Sequence, residues 1–267
     1  MTRIGAALDL RFGKNTLQFL DFLHSNGFDH IEIKKDNDHV YGEVKPSELE
    51  RTLSEYDITI SYHAPHREFN IASVNEKVRM SCVSQIIEMG EYLQEVGSGW
   101  VNIHVGHVPG AYHKTVIANA EENRTRSLDE IAAAYETLGT GLYVENDSFE
   151  KNIIKFGLQP EQMRDILNRY PGFGATFDIG HAHHSDIPPV RFTELLGNRI
   201  NAVHLHDNNG VFDDHLALGN GSLDLNSGFI KELDSCMSDC NGRCSTYVFE
   251  MKTLPDFVSS KEYLASL

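Results

Sequence analysis

Residues 200–206, Ile200-Asn201-Ala202-Val203-His204-Leu205-His206, read as a buried β-strand, and the triplet Ala202-Val203-His204 within it stops on a side chain that can bind a metal. Five other stretches end in the same way: Ser61-Tyr62-His63, Asn102-Ile103-His104, Tyr143-Val144-Glu145, Thr176-Phe177-Asp178 and Val248-Phe249-Glu250. A closed parallel barrel gathers the C-terminal ends of its strands around one pocket. Six ligand-type residues in phase therefore predict a barrel with a metal site in its mouth. So many carboxylates and imidazoles held together without cations would be electrostatically expensive.

Outward from these triplets, an apolar, β-branched run followed by a longer helical stretch recurs eight times. Strands are predicted at Ile4 to Leu10, His30 to Ile33, Ile58 to His63, Trp100 to Val105, Gly141 to Glu145, Phe173 to Ile179, Ile200 to His206 and Thr246 to Met251. Amphipathic helices are predicted at Asn15 to Ser25, Pro46 to Tyr56, Val74 to Val96, Val116 to Leu138, Pro160 to Arg169 and Pro189 to Leu196, several opening on Pro or Ser. Strict alternation implies parallel strands joined by right-handed crossovers, and eight such units close into a TIM (β/α)8 barrel. The competing open doubly wound sheet lacks support, because no Gly-x-Gly-x-x-Gly turn follows the first strand. No linker or low-complexity tract divides residues 1–267, so a single domain is expected.

Composition narrows the function classes. With 39 acidic against 23 basic residues the formal net charge is −16, which disfavours loose binding to a polyanion such as DNA. Carboxylates neutralised by bound cations would weaken that argument. No apolar run approaches the ~20 residues of a bilayer crossing, and Met1-Thr2-Arg3-Ile4-Gly5 leads straight into a strand, so a cytoplasmic protein without a membrane partner is expected. Of the four cysteines, Cys236, Cys240 and Cys244 sit at four-residue steps before the last strand. A fourth ligand is missing nearby, and a structural or incidental role is expected for them.

Three further ligands extend the set. His181 follows Asp178 by three residues in Phe177-Asp178-Ile179-Gly180-His181, where Gly180 is expected to let the chain turn so that both side chains face the pocket. Asp213 and His215 form an Asp-x-His pair after the seventh strand, read as two ligands on one side of an extended segment. Nine ligands are too many for one ion. The additional His66, His107, His113, His183, His184 and His206 are read as outer partners or loop residues, and His206 is left out of the ligand set.

This pattern resembles the xylose isomerase-like TIM barrels, and its ligand order is similar to that of endonuclease IV, the family 2 apurinic/apyrimidinic endonucleases. The resemblance runs through nearly the whole chain in strand order. It implies up to three ions, zinc first and Mn, Mg, Fe or Co as alternatives. The first would take His63, His104 and Glu145; the second Glu145, Asp178, His204 and Glu250; the third His181, Asp213 and His215. Leu218-Gly219-Asn220-Gly221-Ser222-Leu223-Asp224 resembles the Gly-x-Gly turn that follows the Asp-x-His pair in these families.

Two chemistries suit such a pocket. Endonuclease IV-like hydrolysis of a phosphoester, with abasic DNA as one substrate class, would use ions bridged by Glu145 to polarise the phosphoryl group and activate water. The alternative is a sugar or sugar-phosphate isomerase or epimerase, in which Glu145, Asp178, His204 and Glu250 hold one ion and Glu145 and Glu250 act as acid and base. His63, His104 and Asp213-x-His215 are surplus to the second chemistry, and no Arg follows His204 as it typically does in the epimerases. Conversely, His63-Ala64-Pro65-His66-Arg67-Glu68-Phe69-Asn70 lacks the endonuclease wedge pair, and His104-Val105-Gly106 departs from that family's His-Pro-Gly, which counts against a DNA substrate. Lys34, Lys35 and Arg67 are expected to meet a phosphate. A metal-binding barrel without catalysis is the third class, and the retained ligand set argues against it.

Overall fold

Period-two alternation along the strands decides what faces where. In the computed structural model, which describes residues 2–37, 44–238 and 245–267, eight strands close into a barrel in chain order, each neighbouring pair parallel. They are β1 (Arg3–Leu8), β2 (His30–Lys34), β3 (Thr59–His63), β4 (Trp100–His104), β6 (Gly141–Glu145), β8 (Gly174–Asp178), β9 (Ile200–Leu205) and β10 (Thr246–Phe249). The apolar strand positions, among them Ile31, Ile60, Val101, Val144, Phe177, Val203 and Phe249, join the helices in one continuous core. Each fully buried Ile or Phe there contributes about 1.5–3 kcal/mol.

The alternate positions carry polar groups that are equally buried: Glu32, Ser61, Asn102, Thr176 and His204. A separate small cluster of Trp100, Tyr143 and Ala202 lies among the buried residues, with the indole stacked on His30 at 4.6 Å and on Tyr143 at 5.1 Å. An apolar jacket thus surrounds a polar interior that rises to the C-terminal rim, where the triplets end.

Helix boundaries follow local chemistry. α1 (Thr16–Ser25) opens on a capping box between Asn15 and Gln18, while α2 (Pro46–Tyr56) and α5 (Pro160–Arg169) start on Pro. α3 (Glu76–Val96) and α4 (Lys114–Leu138) end on the left-handed Gly97 and Gly139. α6 (Ile179–His184), α7 (Val190–Leu196), α8 (Ser227–Ser238) and α9 (Leu254–Ser266) complete the helices. No helix among the described residues is long and apolar enough to cross a membrane.

Several strands stop short of their expected ends, β4 at His104, β9 at Leu205 and β10 at Phe249 among them. β1 stops at Leu8 because Leu10–Phe12 winds into a 3-10 turn, and β8 stops at Asp178 because that carboxylate caps α6, accepting from the His181 amide at 2.7 Å. The three-residue strands β5 (His107–Pro109) and β7 (Ile153–Lys155) pair antiparallel outside the barrel and wall one side of its mouth. Such short strands carry no periodic signal. Cys82 is buried and is in no disulfide; Cys240 and Cys244 lie outside the described residues.

Candidate metal centre

The nine predicted ligands converge at the C-terminal rim. Glu145 stands at their centre: its Oε2 lies 3.1 Å from His63 Nε2 and 3.9 Å from His104 Nε2, and its Oε1 lies 3.2 Å from His204 Nδ1 and 3.6 Å from His181 Nδ1. His204 Nδ1 also faces Glu250 at 3.5 Å and Asp178 at 3.7 Å. Asp213 Oδ2 closes the third group, 3.4 Å from His181 Nε2 and 3.3 Å from His215 Nε2. Ligand atoms of His63, His104 and Glu145, and of Glu145, Asp178 and His204, lie within 4.8 Å of one another, as an ion would require.

The decisive feature is how the imidazoles are held. His63 Nδ1 is tied to the Ala64 carbonyl at 2.7 Å, His181 Nδ1 to the Asn146 carbonyl at 2.8 Å, and His215 Nδ1 to the Glu250 carbonyl at 3.1 Å. His104 Nδ1 faces the Asp147 carboxylate at 3.2 Å, and His204 Nε2 faces Glu32 at 3.1 Å. The rings of His63, His181 and His215 thus have one nitrogen pinned by a backbone carbonyl, His104 and His204 each hold one nitrogen within 3.2 Å of an outer carboxylate, and all five turn the other nitrogen toward the carboxylates of the site. That is the arrangement by which proteins set the tautomer of a metal-ligating histidine. Buried polar atoms without a hydrogen-bond partner gather here too, including His204 Nδ1 and Asp213 Oδ1. Atoms of that kind need an explanation, and a cation is a sufficient one.

His206, which the sequence reading set aside, is fully buried in the site. Its two nitrogens both face carboxylates, Nε2 at 3.1 Å from Asp178 and Nδ1 at 3.6 Å from Asp213, while its ring stacks on His215 at 4.0 Å. It therefore ties two candidate ligand groups together. It also explains Gly180, which lies within α6: a Cβ there would fall 2.0 Å from His206 Cε1. Space for an imidazole, and not a special turn, demands this glycine.

The Asp213–His215 couple is likewise made by a turn, since His215 has φ 48° instead of extended backbone. Its loop is anchored by Asp207, whose carboxylate accepts from the amides of Gly219 at 3.1 Å, Gly221 at 2.8 Å and Leu223 at 3.0 Å. The Gly-x-Gly turn wraps that carboxylate, and a Cβ on Gly221 would lie 2.3 Å from Asp207 Oδ1. Glu32, Asn146, Asp147 and Asp207 gave no signal in the sequence because each acts through a partner distant in the chain.

Above the cluster lies a cavity of about 490 Å³, lined in part by Lys34, His66, Arg67, Phe69, Lys155 and Asp213. Lys34 Nζ reaches Glu250 at 2.8 Å, and Lys155 lies 3.6 Å from Asp147 and 3.4 Å from Glu150. Lys35 is turned away from it, over the Tyr62 ring at 4.4 Å.

Charges in the cluster shift one another. The surrounding imidazoles hold Glu145, Asp178 and Asp213 well below the usual carboxylate range, Lys34 and His204 do the same for Glu250, and all four shifts outweigh desolvation. In turn His181, facing Asp178 and Asp213, and His204, facing Glu145 and Glu32, are raised well above 6.5 despite burial. In the metal-free protein these two imidazoles contribute stability that is fully present below pH 6.5 and is lost as pH rises through their raised folded values. A metal must displace their protons. Zinc added to metal-free protein at pH 7 should therefore release protons, read in a pH-stat, and bind more tightly as pH rises; binding without proton release would contradict this charge state.

Residues 20–235 match the family described as xylose isomerase-like TIM barrel. The uncharacterized protein MJ1311 of Methanocaldococcus jannaschii is 31% identical over 270 residues, 96% of this chain and 89% of that protein. Probable endonuclease 4 of Aquifex aeolicus is 28% identical over 142 residues, 52% of this chain and 48% of its own length. A D-tagatose 3-epimerase-like protein of solved structure superposes with a TM-score of 0.83 at 29% identity, covering 99% of this chain and 96% of that one. With its closed eight-stranded barrel and a family match over most of its length, the chain belongs to the xylose isomerase-like TIM barrels.

Proposed function

We propose that the protein is a multinuclear metal-dependent hydrolase of small phosphoesters, with His63, His104, Glu145, Asp178, His181, His204, Asp213, His215 and Glu250 as ligands of up to three ions. The observation that carries this reading is the closeness of His63 and His104 to Glu145 and of His215 and His181 to Asp213, groups for which a single-ion enzyme has no use. Five oriented imidazoles among carboxylates suit zinc before magnesium. Bound there, such ions would polarise a phosphoryl oxygen and lower the pKa of water.

The chain's own residues supply the rest. Glu145 links the first two ligand groups and Glu250 is steadied by Lys34, while Lys155 and Arg67 place positive charge on the cavity wall for an anionic substrate. A cavity of about 490 Å³ suits a small molecule. Together with a net charge of −16, this favours a small phosphoester over duplex DNA. A cytoplasmic location fits Cys82, which is in no disulfide.

The second reading is a sugar or sugar-phosphate epimerase using Glu145, Asp178, His204 and Glu250 around one ion. It is favoured by the full-length likeness to the D-tagatose 3-epimerase-like protein. Elemental analysis of protein purified without chelator, paired with assays on phosphomono- and diesters, abasic-site DNA and a panel of ketoses and their phosphates, separates the two. Two or three ions with phosphoester cleavage is the expected result. One ion with sugar interconversion would transfer the assignment to the second reading, and metal-loaded protein inert in every assay would remove both.

A further inference from the structure

The metal reading rests on the rim, yet one carboxylate in contact with it lies deeper in the barrel and belongs to no predicted ligand group. Glu32, on β2, is fully buried. Its Oε1 faces His204 Nε2 at 3.1 Å, and no hydrogen bond satisfies either atom in the metal-free structure. Its Oε2 accepts from the Ser61 hydroxyl at 2.9 Å. Because that hydroxyl proton goes to Glu32, the Ser61 oxygen is left to accept from His30 Nε2 at 3.0 Å; His30 Nδ1 lies 2.9 Å from Thr59 Oγ1, and its ring is clamped on Trp100. Four residues from β2 and β3 thus form a chain running up the barrel interior and ending on His204.

Three of the other four ligand imidazoles are pinned by backbone carbonyls close to the rim, and His104 by Asp147 in the loop after β6. Only His204 leans on a carboxylate inside the barrel. Its opposite nitrogen faces three carboxylates, Glu145, Glu250 and Asp178, so a ring reversed or carrying its proton on Nδ1 would present no lone pair to them. A buried carboxylate is costly, and His204 Nε2, 3.1 Å from Glu32 Oε1, is the ring nitrogen placed to carry the compensating proton. We infer that Glu32, oriented by Ser61 and His30, is the positioning residue that commits His204 to binding metal through Nδ1. This inference depends on the metal reading and adds to it the device by which one ligand is oriented.

The test uses zinc alone, titrated into metal-free full-length protein against a competing colorimetric chelator, with histidine ¹⁵N spectra of the same samples. Glu32→Gln should weaken one zinc equivalent by about 10- to 100-fold and leave the others unchanged. Ser61→Ala should weaken that same equivalent by less, and Asp147→Asn should weaken a different one. In wild type the His204 signal should show Nε2 protonated and Nδ1 metallated; in Glu32→Gln that preference should be lost. Should Glu32→Gln fail to fold, Ser61→Ala, which retains the carboxylate, decides. Folded Ser61→Ala and Glu32→Gln proteins with wild-type affinities and an unchanged His204 tautomer would overturn the inference while leaving the metal reading intact. A wild-type protein that binds no zinc would instead remove the metal reading, and this inference with it.

Discussion

Glu145→Gln should cost the protein about two bound ions and lower phosphoester turnover by roughly a thousandfold or more. The side chain is the meeting point of His63, His104, His181 and His204, all within 3.9 Å of its two oxygens, and Asn102 donates to Oε2. An amide keeps the shape but offers one weak acceptor in place of a charged bridge between two ligand groups. Each tenfold loss in rate is 1.36 kcal/mol, and transition-state stabilisation by metal ions is worth several kcal/mol, so about 10³ is a moderate expectation. Elemental analysis and steady-state kinetics on the same preparation check it. A variant that keeps its full metal content would mean that Glu145 does not join the groups. Chelation of the wild-type enzyme should reproduce the activity loss, and added zinc should restore it.

Asp213→Ala should remove one ion and reduce hydrolysis by about 10²- to 10³-fold, a loss comparable to that of one electrostatic stabiliser in an active site. Among the described residues Asp213 is the only carboxylate shared by His181 and His215, and His206 faces it from the third side. The side chain is one-quarter exposed, in a loop whose anchor is Asp207 instead, so the barrel should remain folded. This variant also discriminates between the chemistries. Glu145, Asp178, His204 and Glu250 are untouched by it, so an epimerase working through those four would keep its activity. Unimpaired sugar interconversion in Asp213→Ala, together with loss of no ion, would exclude the multinuclear hydrolase.

The barrel was legible in the sequence because it rests on local signals that add up: apolar alternation in eight strands, Pro at the first turn of α2 and α5, and Gly at the ends of α3 and α4. The predicted ligands were legible for the same reason. A side chain at the C-terminal end of a parallel strand has its position set by the strand, and His63, His104, Glu145, Asp178, His204 and Glu250 all stand within one residue of such an end.

What pins those ligands was settled only by tertiary structure. Glu32 meets His204 across 172 residues, a separation at which no periodicity operates, and Asp207 gathers three amides of a loop that sequence alone reads as a flexible turn. Gly180 was visible as a required glycine, but its cause, the ring of His206 pressed against it, was not. Side-chain type and strand phase travel along the chain and can be read from it. The tautomer of an imidazole, the space beside a glycine and the charge on a buried carboxylate depend on atoms brought together by closure of the barrel, and so they are decided only when it folds.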